Sequence, residues 1–281
     1  MSIKRFAVIG HPIGHTMSPF IHKRLFELAG ISAEYGVLDI APEALKSDYN
    51  SVLKELDGYN ITIPHKQSII PLIDEIDSKA KLYGSVNTVL NRDGKAKGFT
   101  TDPDGFLKAL EYARIPLSGR VVILGCGGAA RTMAYEAALA GAKLEFAVRE
   151  QSVEKAEKLA REIKTAVKTD DIKCVDVKNL SGDIKTLINA TPVGMSPNTE
   201  YQPVSDSQLE KCENVFDAIY NPLETRLIGK AKANGNRAEG GMSMLVWQAV
   251  VYHRHWDGST YDVKDIEKLC ADAYEELKKR L

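Results

Sequence analysis

Much of what would assign a chain to a membrane, a secreted scaffold or a nucleic acid is missing here. No apolar run in the 281 residues approaches the ~20 needed to span a bilayer. The opening Met1-Ser2-Ile3-Lys4-Arg5 leads into a strand-like stretch without the apolar core of a signal peptide, so the cytoplasm is the expected location. Only four cysteines occur (Cys126, Cys174, Cys212, Cys270), far apart and with no Cys-x-x-Cys pair, which argues against a zinc ribbon or a thioredoxin-like motif. An excess of one charge is also lacking: 37 Lys and Arg against 38 Asp and Glu leave −1, so no overall field draws nucleic acid or an anionic membrane. The histidines (His11, His15, His22, His65, His253, His255) offer no convincing ligand set, and no metal is expected. His253 and His255 are two apart on an expected helix and so point to different faces. There is no internal repeat and no low-complexity tract. What is present, 44% hydrophobic and 27% charged residues, suits a folded chain with a sizeable core, long enough for one large domain or two ordinary ones.

Short β-branched runs alternate with amphipathic stretches, the pattern of βα units around a mostly parallel sheet. Phe6 to Gly10 reads as a first strand, followed by a helix with Ser18 as N-cap and Pro19 at its first position. Glu34 to Ile40 is a second strand, Pro42 to Leu56 a helix, and Tyr59 to Ile63 a third strand stopped by Pro64. Asn87 to Leu90 and Lys95 to Thr100 read as strands joined by the turn Asn91-Arg92-Asp93-Gly94. A second series follows Leu117-Ser118-Gly119, with strands at 121–124, 144–148, 172–175, 186–189 and 215–219. An alanine-rich helix runs to about Ala140, and the last helices run from about Met242 to Trp256 and Val263 to Lys279. The seam between the series lies near Thr101 to Gly105.

The apolar strand Val121-Val122-Ile123-Leu124 ends in Gly125-Cys126-Gly127-Gly128-Ala129-Ala130 and then opens a helix. Strand, glycine turn and helix start together suit a pyrophosphate, because glycines permit close backbone approach and free N–H groups favour the anion. Cys126 is a small filler in the variable slot. After the next strand, Val148-Arg149-Glu150 gives mixed signals: Arg149 favours the 2′-phosphate of NADP, whereas an inward Glu150 would repel it. The balance leans to NADP, with NAD as the alternative.

In the first series, small polar residues gather at strand ends: Thr16 and Ser18, then Asn60, Thr62 and Lys66, then Asn87, then Thr101 and Asp102. In an open α/β sheet those ends face the ligand crevice, and such a set suits a small acid with one carboxylate and several hydroxyls. Lys66 is expected at a helix start, where a cation opposes the macrodipole and is a poor structural choice. Asp102 could cap the helix through Pro103 and Gly105 as well as serve chemistry.

Taken together, these blocks resemble the shikimate dehydrogenase family, and the likeness covers essentially the whole chain. The blocks are Val8 to Ile13 with Ser18-Pro19 and His22, Asn60 to Lys66, Gly84 to Val89 and Thr101 to Gly105. The cofactor half adds Gly125 to Ala130, Asn189 to Met195 and Gly241 to Gln248. The resemblance implies two domains: a mostly parallel α/β substrate domain from residues 1–104 completed by the C-terminal helices of 242–281, and an inserted Rossmann-like NADP-binding domain at 105–241. It implies Lys66 and Asp102 as the catalytic pair. Thr16, Ser18, Asn60, Thr62, Asn87 and Gln248 would contact substrate, with Tyr220 near its carboxylate. Gly125, Gly127, Gly128, Ala129, Ala130, Arg149, Thr191 and Ile219 would line the cofactor, and Gly241 would lie against the nicotinamide. This chain departs from the family pattern at Thr16, where serine is usual, at Thr100, where asparagine is common, and at Val148-Arg149-Glu150, where Asn-Arg-Thr is usual.

The activity so implied is reversible, NADPH-dependent reduction of 3-dehydroshikimate to shikimate in the route to chorismate and the aromatic amino acids. The partners would be the small acid and the nucleotide, without nucleic acid or membrane, and a homodimer is compatible with the chain. Because of Thr16, a quinate or dual quinate/shikimate dehydrogenase, with NADP or NAD as its nucleotide, is the nearest alternative. The bifunctional methylene-folate dehydrogenase type is disfavoured by the Thr101-Asp102 and Asn189-to-Met195 blocks. A non-catalytic sensor is disfavoured by Lys66 and Asp102, since a sensor needs no proton donor.

Overall fold

Strand-period and helix-period segments alternate twice along the chain, and each series builds its own sheet. The computed structural model describes residues 3–14 and 16–280, so His15 and the opening Met1-Ser2, both weighed above, lie outside the described residues. Two compact units form, one from Met1–Asp102 with Val246–Leu281 and the other from Pro103–Leu245. The chain is an α/β protein.

The first unit contains β1 (Lys4–Gly10), α1 (Ser18–Leu28), β2 (Ala33–Asp39), α2 (Leu45–Ser51), β3 (Gly58–Ile61) and α3 (His65–Ser68). It continues with β4 (Glu75–Ile76), α4 (Ser78–Tyr83), β5 (Thr88–Arg92) and β6 (Lys95–Phe99). The sheet order is β2-β1-β3-β5-β6-β4, and β5 runs against both its neighbours while the other ladders are parallel. The β5–β6 turn is shorter than the sequence pattern suggests. Arg92 still pairs with Lys95, leaving only Asp93 and Gly94, with φ of 54° and 74°. Two successive left-handed residues match the right-handed twist of the hairpin arms.

Other expectations shift as well. The helix expected over 42–56 forms in three pieces: a 3₁₀ turn at Pro42–Ala44, α2, and a 3₁₀ turn at Leu53–Glu55. The break falls at Val52, with φ −124°, and Asn91 holds the last piece by donating to the carbonyls of Leu53 at 2.7 Å and Leu56 at 2.8 Å. Ser18 is not the N-cap of α1. Met17 occupies that place without a side-chain cap bond, and Ser18 is the first helical residue, its N–H donating to Thr16 Oγ1 at 3.1 Å. The short strand β4 had no sequence signal strong enough to be read.

Strand parity sorts the core of this unit. Phe6 and Val8 share one face, in register with Tyr35 of β2 and Asn60 of β3 respectively. There Phe6 stacks on Phe26 at 5.2 Å and on Trp256 at 4.5 Å between ring centroids. Ile9, Tyr59 and Ile61 face the other way and pack with Leu45, Tyr49 and Leu53. Gly58 shows why the first face needs a glycine: a Cβ there would lie 2.6 Å from Trp256 Nε1, which donates to Val89 O at 2.9 Å.

After α5 (Asp102–Ala113) the second unit runs β7 (Arg120–Leu124), α6 (Gly128–Leu139), β8 (Lys143–Val148), α7 (Val153–Val167), β9 (Ile172–Asp176) and β10 (Ile184–Asn189). Then come α8 (Asp206–Leu209), β11 (Cys212–Asp217), α9 (Arg226–Ala233) and β12 (Arg237–Glu239). The order β12-β11-β10-β7-β8-β9 is parallel throughout. That is the doubly wound order of dinucleotide-binding sheets, with its switch point between β7 and β10. Its strands are apolar on both faces, as in Val121, Val122, Ile123 and Leu124, all at most 1% exposed. Finally α10 (Gly241–Trp256) and α11 (Val263–Arg280) follow, and from Val246 onward they belong to the first unit. No helix among the described residues is long and apolar enough to cross a membrane.

Candidate active site

Strand direction gathers the polar residues of the first unit. The carboxyl ends of β1, β3 and β6 and the amino end of the reversed β5 share one edge of the sheet. Thr16 and Ser18 follow β1; Asn60, Thr62 and Lys66 lie at or after the end of β3. Asn87 precedes β5, and Thr101 and Asp102 follow β6. Gly10 lets the first two of these loops meet, since a Cβ there would lie 2.5 Å from Thr62 Cγ2.

Lys66 sits on the single turn α3, and its carbonyl accepts the Val86 N–H at 2.8 Å. One turn builds too little macrodipole to bear on its charge. What holds the ammonium is Asp102: Lys66 Nζ donates to Asp102 Oδ2 at 2.6 Å. The side chains keep 27% and 10% of their surface respectively, so the lysine remains reachable while the carboxylate is nearly enclosed. Asp102 begins α5 as its first helical residue rather than as its cap.

Asn87 is wholly buried and its amide is committed. Nδ2 donates to Thr101 Oγ1 at 3.2 Å and Tyr252 Oη at 3.1 Å, while Oδ1 accepts the Thr101 N–H at 2.9 Å and the Thr88 hydroxyl at 3.0 Å. These bonds fix the backbone immediately before Asp102. Burial first, and then the Asp102 charge, hold the Tyr252 phenol well above its ordinary pKa, so it stays protonated. Asn60 differs. It is 3% exposed, its Oδ1 accepts from Tyr35 Oη at 2.6 Å, and its Nδ2 is buried without a partner among the described residues. Such an orphaned donor is uncommon in a folded interior and is the kind of group a ligand satisfies. Thr16 donates to Ser18 Oγ at 3.1 Å. Thr62 and Gln248 are partly buried.

Beneath this edge lies a buried relay that sequence reasoning missed. His22, 1% exposed, stacks on Tyr35 at 4.4 Å and has its Nδ1 3.1 Å from His253 Nε2, and His253 Nδ1 is 3.1 Å from Asp257 Oδ2. Burial, then His253, keep the His22 imidazole well below its ordinary pKa and hence neutral. His255 points elsewhere and stacks on Phe99 at 4.0 Å. The sequence pattern singles out neither Tyr35 nor Tyr252. Only the strand register, which sets Tyr35 across β1 from Asn60, distinguishes the first.

In the second unit the glycine turn follows β7. Gly125 has φ +97°, and a Cβ on it would lie 2.9 Å from Thr191 Cγ2. Gly127 and Gly128 face open space: apart from their own adjoining backbone, no atom of the described residues lies within 4 Å of where a Cβ would stand. Ala129 is exposed and Ala130 fully buried. Arg149 and Glu150 are both exposed beyond β8. Thr191 is tied back by its N–H and hydroxyl to Asn189 Oδ1 at 3.0 and 2.7 Å. Asn189 in turn donates to Asp217, which also receives the Ile219 N–H and the Thr225 hydroxyl. Gly241 donates to Ile219 O at 2.9 Å, and a Cβ on it would run into Ala218 O, a backbone approach that only glycine permits. Ile219 is 5% exposed, and Tyr220 is partly buried. Among the described residues, no group of three or more His, Cys, Asp or Glu is placed to hold a metal ion.

Comparison with known proteins gives a consistent result. A family model described as the shikimate dehydrogenase substrate binding domain matches residues 8–89. A shikimate dehydrogenase (NADP(+)) of Shouchella clausii is 37% identical over 270 residues, 95% of this chain and 97% of that protein. The crystal structure of shikimate 5-dehydrogenase from Thermus thermophilus with NADP(H) and shikimate is 33% identical, with a TM-score of 0.86 over 96% of this chain and 100% of that one. Quinate dehydrogenase from Corynebacterium glutamicum in complex with NAD is also similar, at 28% identity and a TM-score of 0.86 over 96% of this chain and 99% of that one.

Proposed function

Because the chain belongs to the shikimate dehydrogenase family, we propose that it is an NADP-dependent oxidoreductase that interconverts 3-dehydroshikimate and shikimate. The observation that carries this reading is the reachable Lys66 ammonium held 2.6 Å from Asp102 at the edge where the polar residues gather.

NADPH, when bound, supplies the hydride that reduces the C3 carbonyl. Negative charge then grows on the carbonyl oxygen, and Lys66 Nζ donates first a hydrogen bond and then a proton to it. Asp102 holds the ammonium in place and accepts from the neighbouring ligand hydroxyl. In the oxidation direction the same lysine takes the proton back. Proton transfer and charge stabilisation by a positioned group is general acid–base catalysis, worth ~10²–10⁴-fold.

The donor inventory fits an acid with several hydroxyls. Thr16, Ser18, Thr62 and Gln248 are partly exposed hydrogen-bonding groups, and Asn60 Nδ2 is a donor in need of an acceptor. Asn87 acts through Thr101 and Tyr252, since its amide would have to release a bond to meet a ligand directly. Tyr220 is read as a contact for the substrate carboxylate. On this reading residues 1–104 with 242–281 hold the acid and 105–241 hold the nucleotide.

The glycine turn fits a nucleotide. Open space at Gly127 and Gly128 leaves room for pyrophosphate against bare backbone, and the twelve-residue α6 starts there. Arg149, exposed after β8, would receive the 2′-phosphate, and the NADP named for the first relatives supports that choice over NAD. Thr191, Ile219 and Gly241 form the tied backbone expected to carry the nicotinamide end. The enzyme would serve chorismate biosynthesis in the cytoplasm.

Quinate oxidation remains the second reading, favoured by Thr16, whose extra methyl stands at the expected carboxylate contact. The lower identity to the quinate enzyme, 28% against 37%, weighs against it. Lys66→Ala tests the assignment of the proton donor. Turnover should fall by ~10²–10⁴-fold while NADP affinity, followed by fluorescence titration, stays near wild type. Normal turnover in that variant contradicts the assignment.

A further inference from the structure

We propose that Tyr35 is a positioning residue that fixes the Asn60 amide with Nδ2 toward the bound acid, making Asn60 a donor to a ligand oxygen. The inference rests on the reading of this edge as the acid-binding site.

Three observations carry it. First, Tyr35 Oη lies 2.6 Å from Asn60 Oδ1, a separation typical of O–H···O and shorter than the usual N–H···O range. Burial, then the neighbouring Tyr252, raise the Tyr35 phenol well above its ordinary pKa, so the hydroxyl keeps its proton to donate. Second, the proton has a defined direction. Ser18 N–H donates to Thr16 Oγ1, and Thr16 donates to Ser18 Oγ. Tyr35 Oη is the donor to Asn60 Oδ1, which can only accept, so the proton of that bond has one direction. Third, Asn60 Nδ2 is buried without a partner among the described residues, in a residue that is only 3% exposed. An amide whose oxygen is satisfied and whose nitrogen is not is poised for an acceptor, and the polyhydroxylated acid supplies hydroxyl and carbonyl oxygens.

The Tyr35 ring is itself held. It stacks nearly parallel on His22, at 4.4 Å and 14°. His253 is held at both ring nitrogens, Nδ1 at 3.1 Å from Asp257 Oδ2 and Nε2 at 3.1 Å from His22 Nδ1, so both imidazole rings are fixed in orientation. The relay Asp257–His253–His22 therefore fixes the platform on which Tyr35 rests. Tyr35 thus orients Asn60, a residue expected to touch the acid, and need not touch the acid itself.

Steady-state oxidation of shikimate by NADP, measured in the intact protein and in Tyr35→Phe, Asn60→Ala and the double variant, tests the proposal. Tyr35→Phe removes one oxygen and keeps the ring on His22, so its melting temperature should stay near wild type. The KM for shikimate should rise about tenfold, the effect of one lost hydrogen bond to a non-reacting group, with kcat and the KM for NADP within about threefold. In the Asn60→Ala background Tyr35→Phe should add almost nothing, because the amide it orients is gone. A Tyr35→Phe variant with wild-type KM for shikimate overturns the proposal, as does an undiminished tenfold loss on top of Asn60→Ala. Should Asn60→Ala fail to fold, the single Tyr35→Phe result decides. A wild-type protein that turns over no shikimate with either nucleotide overturns the activity reading itself, and this inference with it.

Discussion

Asp217 is wholly buried, yet three donors converge on its carboxylate from Asn189, Ile219 and Thr225. Burial pushes its pKa up to about 6, and the hydrogen bonds only partly oppose that rise. Between about pH 4 and 6 the folded chain therefore keeps a proton that the unfolded chain has lost. Its contribution to stability is fully present below the unfolded pKa and is lost as pH rises through about 6. The loss across that window is on the order of 3 kcal/mol, because each tenfold change in proton affinity corresponds to about 1.4 kcal/mol. Asp217→Asn removes that slope, whatever its effect on absolute stability. Melting temperatures followed from pH 4 to 7 should fall for the wild type relative to the variant, and parallel curves would contradict the assignment. At this scale the sequence was informative where residue type and strand position agreed. Lys66 and Asp102 stood out because a cation and a carboxylate followed strand ends that must share an edge. Tyr35, His253 and Asp257 did not, because an aromatic in a strand and a histidine in a helix look the same whether they pack or position.

At the level of elements, the β runs were legible because apolar strands covered on both faces, such as β7 and β10, leave little alternative. Short or interrupted elements were not. The segment 42–56 has helical composition throughout, but two tertiary bonds from Asn91 to Leu53 O and Leu56 O hold its end in a 3₁₀ turn, and no local signal announces them. Ser18 looked like an N-cap from its type and from Pro19, yet its N–H and hydroxyl are engaged by Thr16, so Met17 takes the capping place. Asn91→Ala should cost about 1–3 kcal/mol, since it strips both carbonyls of their partner. The urea midpoint measures the loss, and kcat should not change, because the segment lies outside the proposed site. An unchanged midpoint would mean that the Asn91 bonds do not stabilise the fold.

On the scale of the whole molecule, the two series of βα units were visible in the sequence as two sheets, and the compact units divide between Asp102 and Pro103 and between Leu245 and Val246. The second sheet is the doubly wound parallel order, while the first is made mixed by the reversal of β5, which the hairpin turn alone already implied. That reversal brings Asn87 to the edge where Lys66 and Asp102 stand, so the topology and the proposed chemistry depend on the same strand. Substrate and cofactor preference turn on single positions, Thr16 and Arg149–Glu150, whose types pull in opposite directions. The most direct test is to measure kcat/KM on the intact chain for shikimate and quinate, each with NADP and with NAD. Fastest turnover with shikimate and NADP is the predicted result. Quinate with NAD as the preferred pair, or no turnover of either acid, would contradict the account.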